Sequence, residues 1–166
     1  MLFRSLLDKQ QQERFCDEIF AASRIWGFSF HVNKGLAGAP PEAIAAAKDT
    51  AMNPAVLDAF ALVISGAEGP PAYPGIAGHE PNLEAARDHA QRIDKAMNEL
   101  RKLAPNPGSY LNESDFFEKD WRESFWGPNY AGLLAVKEKY DPGGLFFVHH
   151  GVGSESWSAD GFTRAT

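Results

Sequence analysis

Hydrophobic positions along the chain recur with two spacings, one of three or four residues and one of two. The longer spacing places apolar residues on one face of a helix. It is clearest in residues 82–103, where Asn82 is a suitable N-cap and acidic and basic residues lie near opposite ends. Together with helix start and stop signals, the same spacing also predicts helices over residues 3–21, 41–49 and 130–140.

The shorter spacing predicts strands. Residues 26–32 alternate, with aromatic side chains on one face and His31 on the other. Residues 55–65 form a nearly continuous apolar run, which is typical of a central strand. Shorter strands are predicted at residues 108–115 and 145–150. These strands are too few for a doubly wound sheet, so we predict an α+β fold: an antiparallel sheet of a few strands covered by helices, followed by a C-terminal helix and strand.

Composition narrows the class of protein. The 166 residues include 16 Lys and Arg against 22 Asp and Glu, a net charge of -6. The basic residues form no cluster, which argues against a nucleic-acid partner. No apolar run approaches the roughly 20 residues of a membrane span, and the first residues lack the apolar core of a signal peptide. The single cysteine, Cys16, excludes an internal disulfide framework. We expect a soluble cytoplasmic protein without a membrane partner.

Three histidines and a group of aromatic residues are further candidates for function. His149 and His150 are adjacent in a predicted strand, so they point to opposite faces and cannot jointly hold a metal ion; no metal site is predicted. His31 either lines a substrate cavity or lies on the surface, and the pattern does not separate these alternatives. The aromatic group either packs in the core or forms a flat wall for a ligand. Its members are Trp121, Phe125 and Trp126.

Two motifs in the last third of the chain carry a family resemblance. The first is Tyr-x-Asn at Tyr110 and Asn112, within GSYLNESD. The second is Gly-x-Asn-Tyr ending at Asn129 and Tyr130, preceded by Phe-Trp and followed by Leu-x-x-x-Lys, Lys-Tyr-Asp-Pro and an apolar run. Over residues 109–157 the chain closely resembles the C-terminal end of FAD-linked oxidoreductases of the berberine-bridge-enzyme type, which belong to the vanillyl-alcohol-oxidase-like superfamily.

The resemblance implies a division of the chain and a partner. Residues 1–108 would be part of a substrate-binding domain, and residues 109–166 would be a berberine-bridge-like C-terminal segment. Family members hold FAD mostly in an N-terminal domain, for which this chain has no length. We therefore expect an FAD-binding domain or subunit outside this chain as its partner, with the C-terminal helix and strand packed on it.

The resemblance also implies chemistry. Such enzymes oxidise a small-molecule substrate, here an alcohol or amine, by hydride transfer to flavin while a base takes the proton. Tyr110 is the expected base. A phenol with an ordinary pKa of about 10 needs a positive or hydrogen-bonding neighbour for that role, which the sequence does not name. Asn112, Asn129 and Tyr130 are the expected cofactor-binding residues; an amide can donate and accept hydrogen bonds without adding charge.

Two alternative functions remain open. The chain could be a non-catalytic, truncated remnant with no flavin site of its own. It could also be an autonomous α+β domain that binds a small apolar ligand through the aromatic strand at residues 26–32 and the Gly/Pro-rich loop at residues 66–81.

Overall fold

Three short strands pair into one antiparallel sheet. The computed structural model describes residues 1–32 and 35–165, and its strands are β1 (Leu2–Phe3), β2 (Ser29–Val32) and β3 (Ala59–Ile64). Their order is β1-β3-β2, so β3 is central, as its apolar composition predicts. The α+β class is confirmed.

Five α-helices surround this sheet or extend from it within the described residues. The predicted helices at residues 41–49, 82–103 and 130–140 are confirmed within a few residues at each end. A short helix in the aromatic, acidic stretch before Gly127 was not predicted. The helices are α1 (Gln12–Ser23), α2 (Pro41–Lys48), α3 (Leu83–Arg101), α4 (Trp121–Trp126) and α5 (Tyr130–Tyr140).

One face of the sheet packs against α1 and α3. The two helices approach closely because Ala22 and Ala96, both fully buried, face each other in one apolar cluster. Phe15 of α1 meets Phe30 of β2 with ring centroids 6.5 Å apart in an edge arrangement. The aromatic face of the predicted strand is therefore the core face, which leaves the opposite face of the sheet free to line a cleft.

The N-terminal helix begins nine residues later than the predicted start at residue 3. Leu2 pairs with Ala61 on β3, and residues Arg4–Leu7 form a 3₁₀ helix. Burial of Leu2 and Leu6 beside Ala61 and Leu103 explains the difference, since the extended start fills a core position that a continuous helix would leave empty. Local helical spacing is overridden here by tertiary packing.

The predicted strand at residues 145–150 is wrong. Asp141 accepts the backbone N–H groups of Leu145 at 2.8 Å and Phe146 at 3.1 Å, while Lys137 bonds Asp141 and donates to the carbonyl of Phe146 at 2.7 Å. Side chains thus satisfy the backbone groups that a strand would have paired with a neighbour. Of the predicted C-terminal helix and strand, only the helix forms. We call residues 141–165, which follow this helix, the C-terminal tail.

The prediction that His149 and His150 point to opposite faces is also wrong, because the two residues lie in a turn and not in a strand. Their rings stack with centroids 3.8 Å apart, and the stack continues to Phe116 at 4.1 Å and Trp121 at 5.3 Å. We call these four rings the aromatic column. It attaches the C-terminal tail to α4. Among the described residues, no group of three or more His, Cys, Asp and Glu side chains is placed to hold a metal ion.

The aromatic column should make stability depend on pH. Burial, and then the neighbouring His149, lower the pKa of His150, with Arg122 adding to this effect and Glu118 and Asp115 opposing it. A histidine whose pKa is lower in the folded chain stabilises the fold above its unfolded pKa of about 6.5, and this contribution is lost as pH falls below that value.

Replacing His150 by phenylalanine keeps a ring in the column but removes the titration. We expect His150→Phe to reduce the fall in melting temperature between about pH 7.5 and pH 5.5, measured by circular dichroism. His79→Phe, in the loop at residues 66–81, is the control and should leave the pH dependence unchanged. An identical pH dependence of the melting temperature in wild type and His150→Phe would show that His150 does not contribute to it.

No helix in the described ranges has both the length and the apolar character needed to cross a membrane.

Candidate functional site

A cleft of about 610 Å³ lies against the sheet face that does not carry the helices. His31 of β2 and Leu62 of β3 are directly paired, and both line the cleft. Ile64 extends the same surface. The cleft is lined by the sheet, by residues 51–56, by residues 109–113 and by the end of α4; most of these side chains are apolar. Of the two alternatives for His31, the structure selects the cavity.

Tyr110 and Asn112 lie together in this cleft, although not on a strand. The predicted strand at residues 108–115 is wrong, because Leu111–Glu113 form a 3₁₀ helix. The tight turn nevertheless brings the two side chains together, with Asn112 Nδ2 donating to the phenol oxygen of Tyr110 at 3.1 Å. Ser109 N donates to the carbonyl of Ser124 in α4 at 2.7 Å, which anchors the turn. Asn112 is the hydrogen-bonding neighbour of Tyr110 that the sequence did not name.

Asn129 lies outside the cleft and holds a loop that lines it. Its Nδ2 donates to the carbonyls of Met52 at 2.7 Å and Thr50 at 3.2 Å, and Met52 lines the cleft. The side chain makes no capping bond to α5. Asn53 fixes the same loop to α4, donating to the carbonyls of Glu123 at 3.1 Å and Ser124 at 2.9 Å.

Tyr130 is not brought together with Tyr110 and Asn112. Its phenol donates to Glu155 at 2.6 Å and accepts from the backbone N–H of Gly153 at 3.1 Å. Burial and then the Glu155 bond raise the pKa of Tyr130, so its phenol stays protonated at neutral pH. Arg122 pairs with Glu155 at 3.1 Å. Tyr130 thereby holds the C-terminal tail onto α5 and α4.

Trp126 belongs to the aromatic group for which the sequence allowed two roles, core packing or a flat wall for a ligand. It lines the cleft, and its Nε1 is a buried donor without a partner among the described residues. An unpaired buried donor costs about 1–3 kcal/mol. Phe125 also lines the cleft, whereas Trp121 is buried in the aromatic column. The sequence of aromatic residues does not show which of them line the cleft and which are buried in the column, because this depends on how the short helix α4 is rotated.

Comparison with known proteins identifies relatives of this arrangement. Residues 109–153 match the family of berberine and berberine-like proteins. The chain is 50% identical over 66 residues to an uncharacterized FAD-linked oxidoreductase of Arthroderma benhamiae, covering 40% of this chain and 11% of that protein. It is 46% identical over 86 residues to the VAO-type flavoprotein oxidase VAO615 of Thermothelomyces thermophilus, covering 51% of this chain and 14% of that protein.

The fold is similar as well. The crystal structure of the VAO-type flavoprotein MtVAO615 from Myceliophthora thermophila C1 at pH 5.0 matches with a TM-score of 0.70 and 30% identity, covering 95% of this chain and 27% of that one. The VAO-type flavoprotein MtVAO713 from the same organism matches with a TM-score of 0.56 and 32% identity over 70% of this chain and 20% of its own. In sequence and fold, this chain corresponds to a C-terminal portion of VAO-like FAD-linked oxidoreductases, as the two motifs predicted, and it spans only a small part of their length.

Proposed function

We propose that this chain is the C-terminal portion of an FAD-dependent oxidoreductase that oxidises an alcohol or amine by hydride transfer to the flavin. The observation that carries the proposal is the hydrogen-bonded pair of Tyr110 and Asn112 in an apolar cleft. The relatives that match in sequence and fold are FAD-linked or VAO-type flavoproteins.

The cleft suits the isoalloxazine part of FAD. Isoalloxazine has apolar faces and an edge that carries hydrogen-bond donors and acceptors, and the cleft offers aliphatic and aromatic walls with few polar groups. Asn112 retains its carbonyl oxygen and one amide hydrogen after bonding Tyr110. Trp126 contributes its apolar ring to this surface, while its Nε1 is buried. In this proposal Asn112 contacts the cofactor, while Asn129 acts through the loop that it holds.

The charged part of FAD requires another binding surface. None of the described residues that line the cleft is Lys or Arg, whereas a diphosphate needs cationic side chains or a cradle of backbone N–H groups. We propose that an FAD-binding domain or subunit supplies this surface. In that assembly residues 1–108 are part of the substrate-binding domain, and residues 109–166 are the berberine-bridge-like segment. Within this segment Tyr130 holds the C-terminal tail in place.

Exposed apolar side chains in the C-terminal segment support such a partner. Leu145, Phe146 and Phe162 are 81%, 75% and 89% exposed. A contiguous exposed apolar patch is typical of a surface that binds another protein, and we propose that these three side chains contribute to one. The -6 net charge of the chain does not favour nucleic acid as this partner.

The proposed chemistry assigns the proton to Tyr110. FAD, when bound, would accept the hydride that leaves the substrate carbon. The phenol of Tyr110, as phenolate, takes the proton from the substrate hydroxyl or amine, so that the carbon–oxygen or carbon–nitrogen bond becomes double. Asn112 donates to the same phenol oxygen and thereby holds it in position in the cleft. The apolar lining of the cleft limits access of water to the reacting atoms.

A visible spectrum tests the proposal. We expect the purified chain to be colourless and to bind added FAD weakly, because the diphosphate is not held. Coexpression with the FAD-binding portion of a relative such as VAO615 should give a yellow complex with flavin absorption bands. A complex that forms without flavin would favour the non-catalytic remnant. Failure of the two parts to associate, together with binding of apolar ligands by the chain alone, would favour the autonomous binding domain.

A further inference from the structure

The imidazole of His31 lies in the cleft but has no part in the chemistry proposed above. Its strand neighbour across β3 is Leu62, and Ile64 follows on the same surface. The sheet side of the cleft is therefore aliphatic except for this one ring. A polar group among aliphatic side chains costs free energy unless it is hydrogen-bonded. What His31 can bind therefore depends on which of its two ring nitrogens is already bonded.

Ser29 occupies one side of the ring. Its Oγ lies 3.0 Å from Nε2 of His31, and the two residues share a strand face because they are two positions apart. A serine hydroxyl can donate or accept, so either neutral tautomer of the imidazole is satisfied at Nε2. Nδ1 has no hydrogen-bond partner within residues 1–32 and 35–165. It is the atom left for a molecule in the cleft.

We infer that His31 is a specificity-determining residue that binds a hydroxyl group on an otherwise apolar ring compound, with Ser29 as its positioning residue. A hydroxyl both donates and accepts, so it matches Nδ1 in either tautomer. A carboxylate fits less well, because Glu113 also lines the cleft and would repel it. The inference rests on the proposed function only in identifying this compound as the substrate; binding itself requires no flavin.

Two probes of similar shape test the inference on the chain as it exists. 2-Naphthol carries a hydroxyl, whereas 2-fluoronaphthalene carries a fluorine of comparable size. Each is titrated into the isotope-labelled chain and followed by NMR. We expect 2-naphthol to bind about 10-fold more tightly, the usual effect of one net hydrogen bond. We also expect it, and not 2-fluoronaphthalene, to shift the ring nitrogen resonances of His31.

Variants assign the preference to a residue. His31→Leu should bind both probes about equally, and Ser29→Ala should reduce the preference and change the tautomer populations of His31. Tyr140→Phe, at an exposed position that does not line the cleft, should keep the preference. His31→Gln retains a donor and an acceptor, so it should keep part of the preference for 2-naphthol. This variant tests the role of His31 if His31→Leu does not fold.

Equal affinities in the wild-type chain would overturn the inference. So would a preference that is lost in Tyr110→Phe and kept in His31→Leu, since the hydroxyl would then bind the phenol. These outcomes are independent of the flavin spectrum. A yellow complex without a hydroxyl preference refutes only the role of His31, and a hydroxyl preference without flavin binding refutes only the proposed redox function.

Discussion

Replacing Tyr110 by phenylalanine in the complex with an FAD-binding portion is expected to slow flavin reduction by substrate about 10²–10⁴-fold, the usual contribution of a positioned base. The substitution removes one oxygen atom and keeps the ring that lines the cleft. Flavin content should therefore be retained. Stopped-flow absorbance under anaerobic conditions measures the reduction rate directly.

Tyr140→Phe is the matched control for Tyr110→Phe. Tyr140 ends α5 and is 74% exposed, so the loss of its hydroxyl should not change the rate of flavin reduction. If both variants reduced flavin at the wild-type rate, Tyr110 would not be the base. If Tyr110→Phe lost its flavin, the phenol would belong to cofactor binding instead.

Replacing Trp121 by alanine is expected to lower the free energy of unfolding by about 3–5 kcal/mol, the usual cost of truncating a buried aromatic residue. Trp121 is 6% exposed and contacts three other side chains. It stacks on His150 at 5.3 Å, meets the Tyr130 ring edge-on at 5.6 Å and lies under the guanidinium of Arg122 at 4.4 Å. Its loss should release the C-terminal tail from α4, seen as higher amide hydrogen exchange in residues 145–157.

Phe117→Ala is the matched control for Trp121→Ala. Phe117 precedes α4 and is 77% exposed, so truncating it should change the free energy of unfolding by no more than about 0.5 kcal/mol. Denaturant titrations of both variants compare the effects. Equal, small changes would show that the aromatic column does not hold the tail.

The sequence predicted the elements whose stability is local. The spacing of apolar residues and the Asn82 cap predicted α3, and Asn82 Oδ1 does accept the N–H of Ala85 at 3.0 Å. The elements that failed were decided by contacts that the spacing of apolar residues does not show. Phe3, within the predicted helix, pairs instead with Ala59 of β3, which is distant in the sequence. Asp141 is close in the sequence, but its side chain takes the backbone N–H groups that a strand at residues 145–150 would have used.

The candidate site, too, could be predicted from the sequence only in part. The Tyr-x-Asn spacing placed Tyr110 and Asn112 on one face of a predicted strand. In the observed turn their side chains are hydrogen-bonded to each other. The positions of Asn129 and Tyr130 could not be predicted from spacing. Their side chains bond Met52 and Glu155, which are 77 and 25 residues away. Only the folded chain shows that one shapes the cleft and the other secures the tail.

Binding of riboflavin, the isoalloxazine-bearing part of the cofactor, tests most directly whether this cleft receives a flavin. The labelled chain is titrated separately with riboflavin and with ADP while its amide and indole NMR resonances are followed. We expect riboflavin to shift the resonances of Tyr110, Asn112 and the Trp126 indole, and ADP to shift none of them. If riboflavin left these three residues unchanged, or if ADP shifted them equally, the cleft would not be a flavin site.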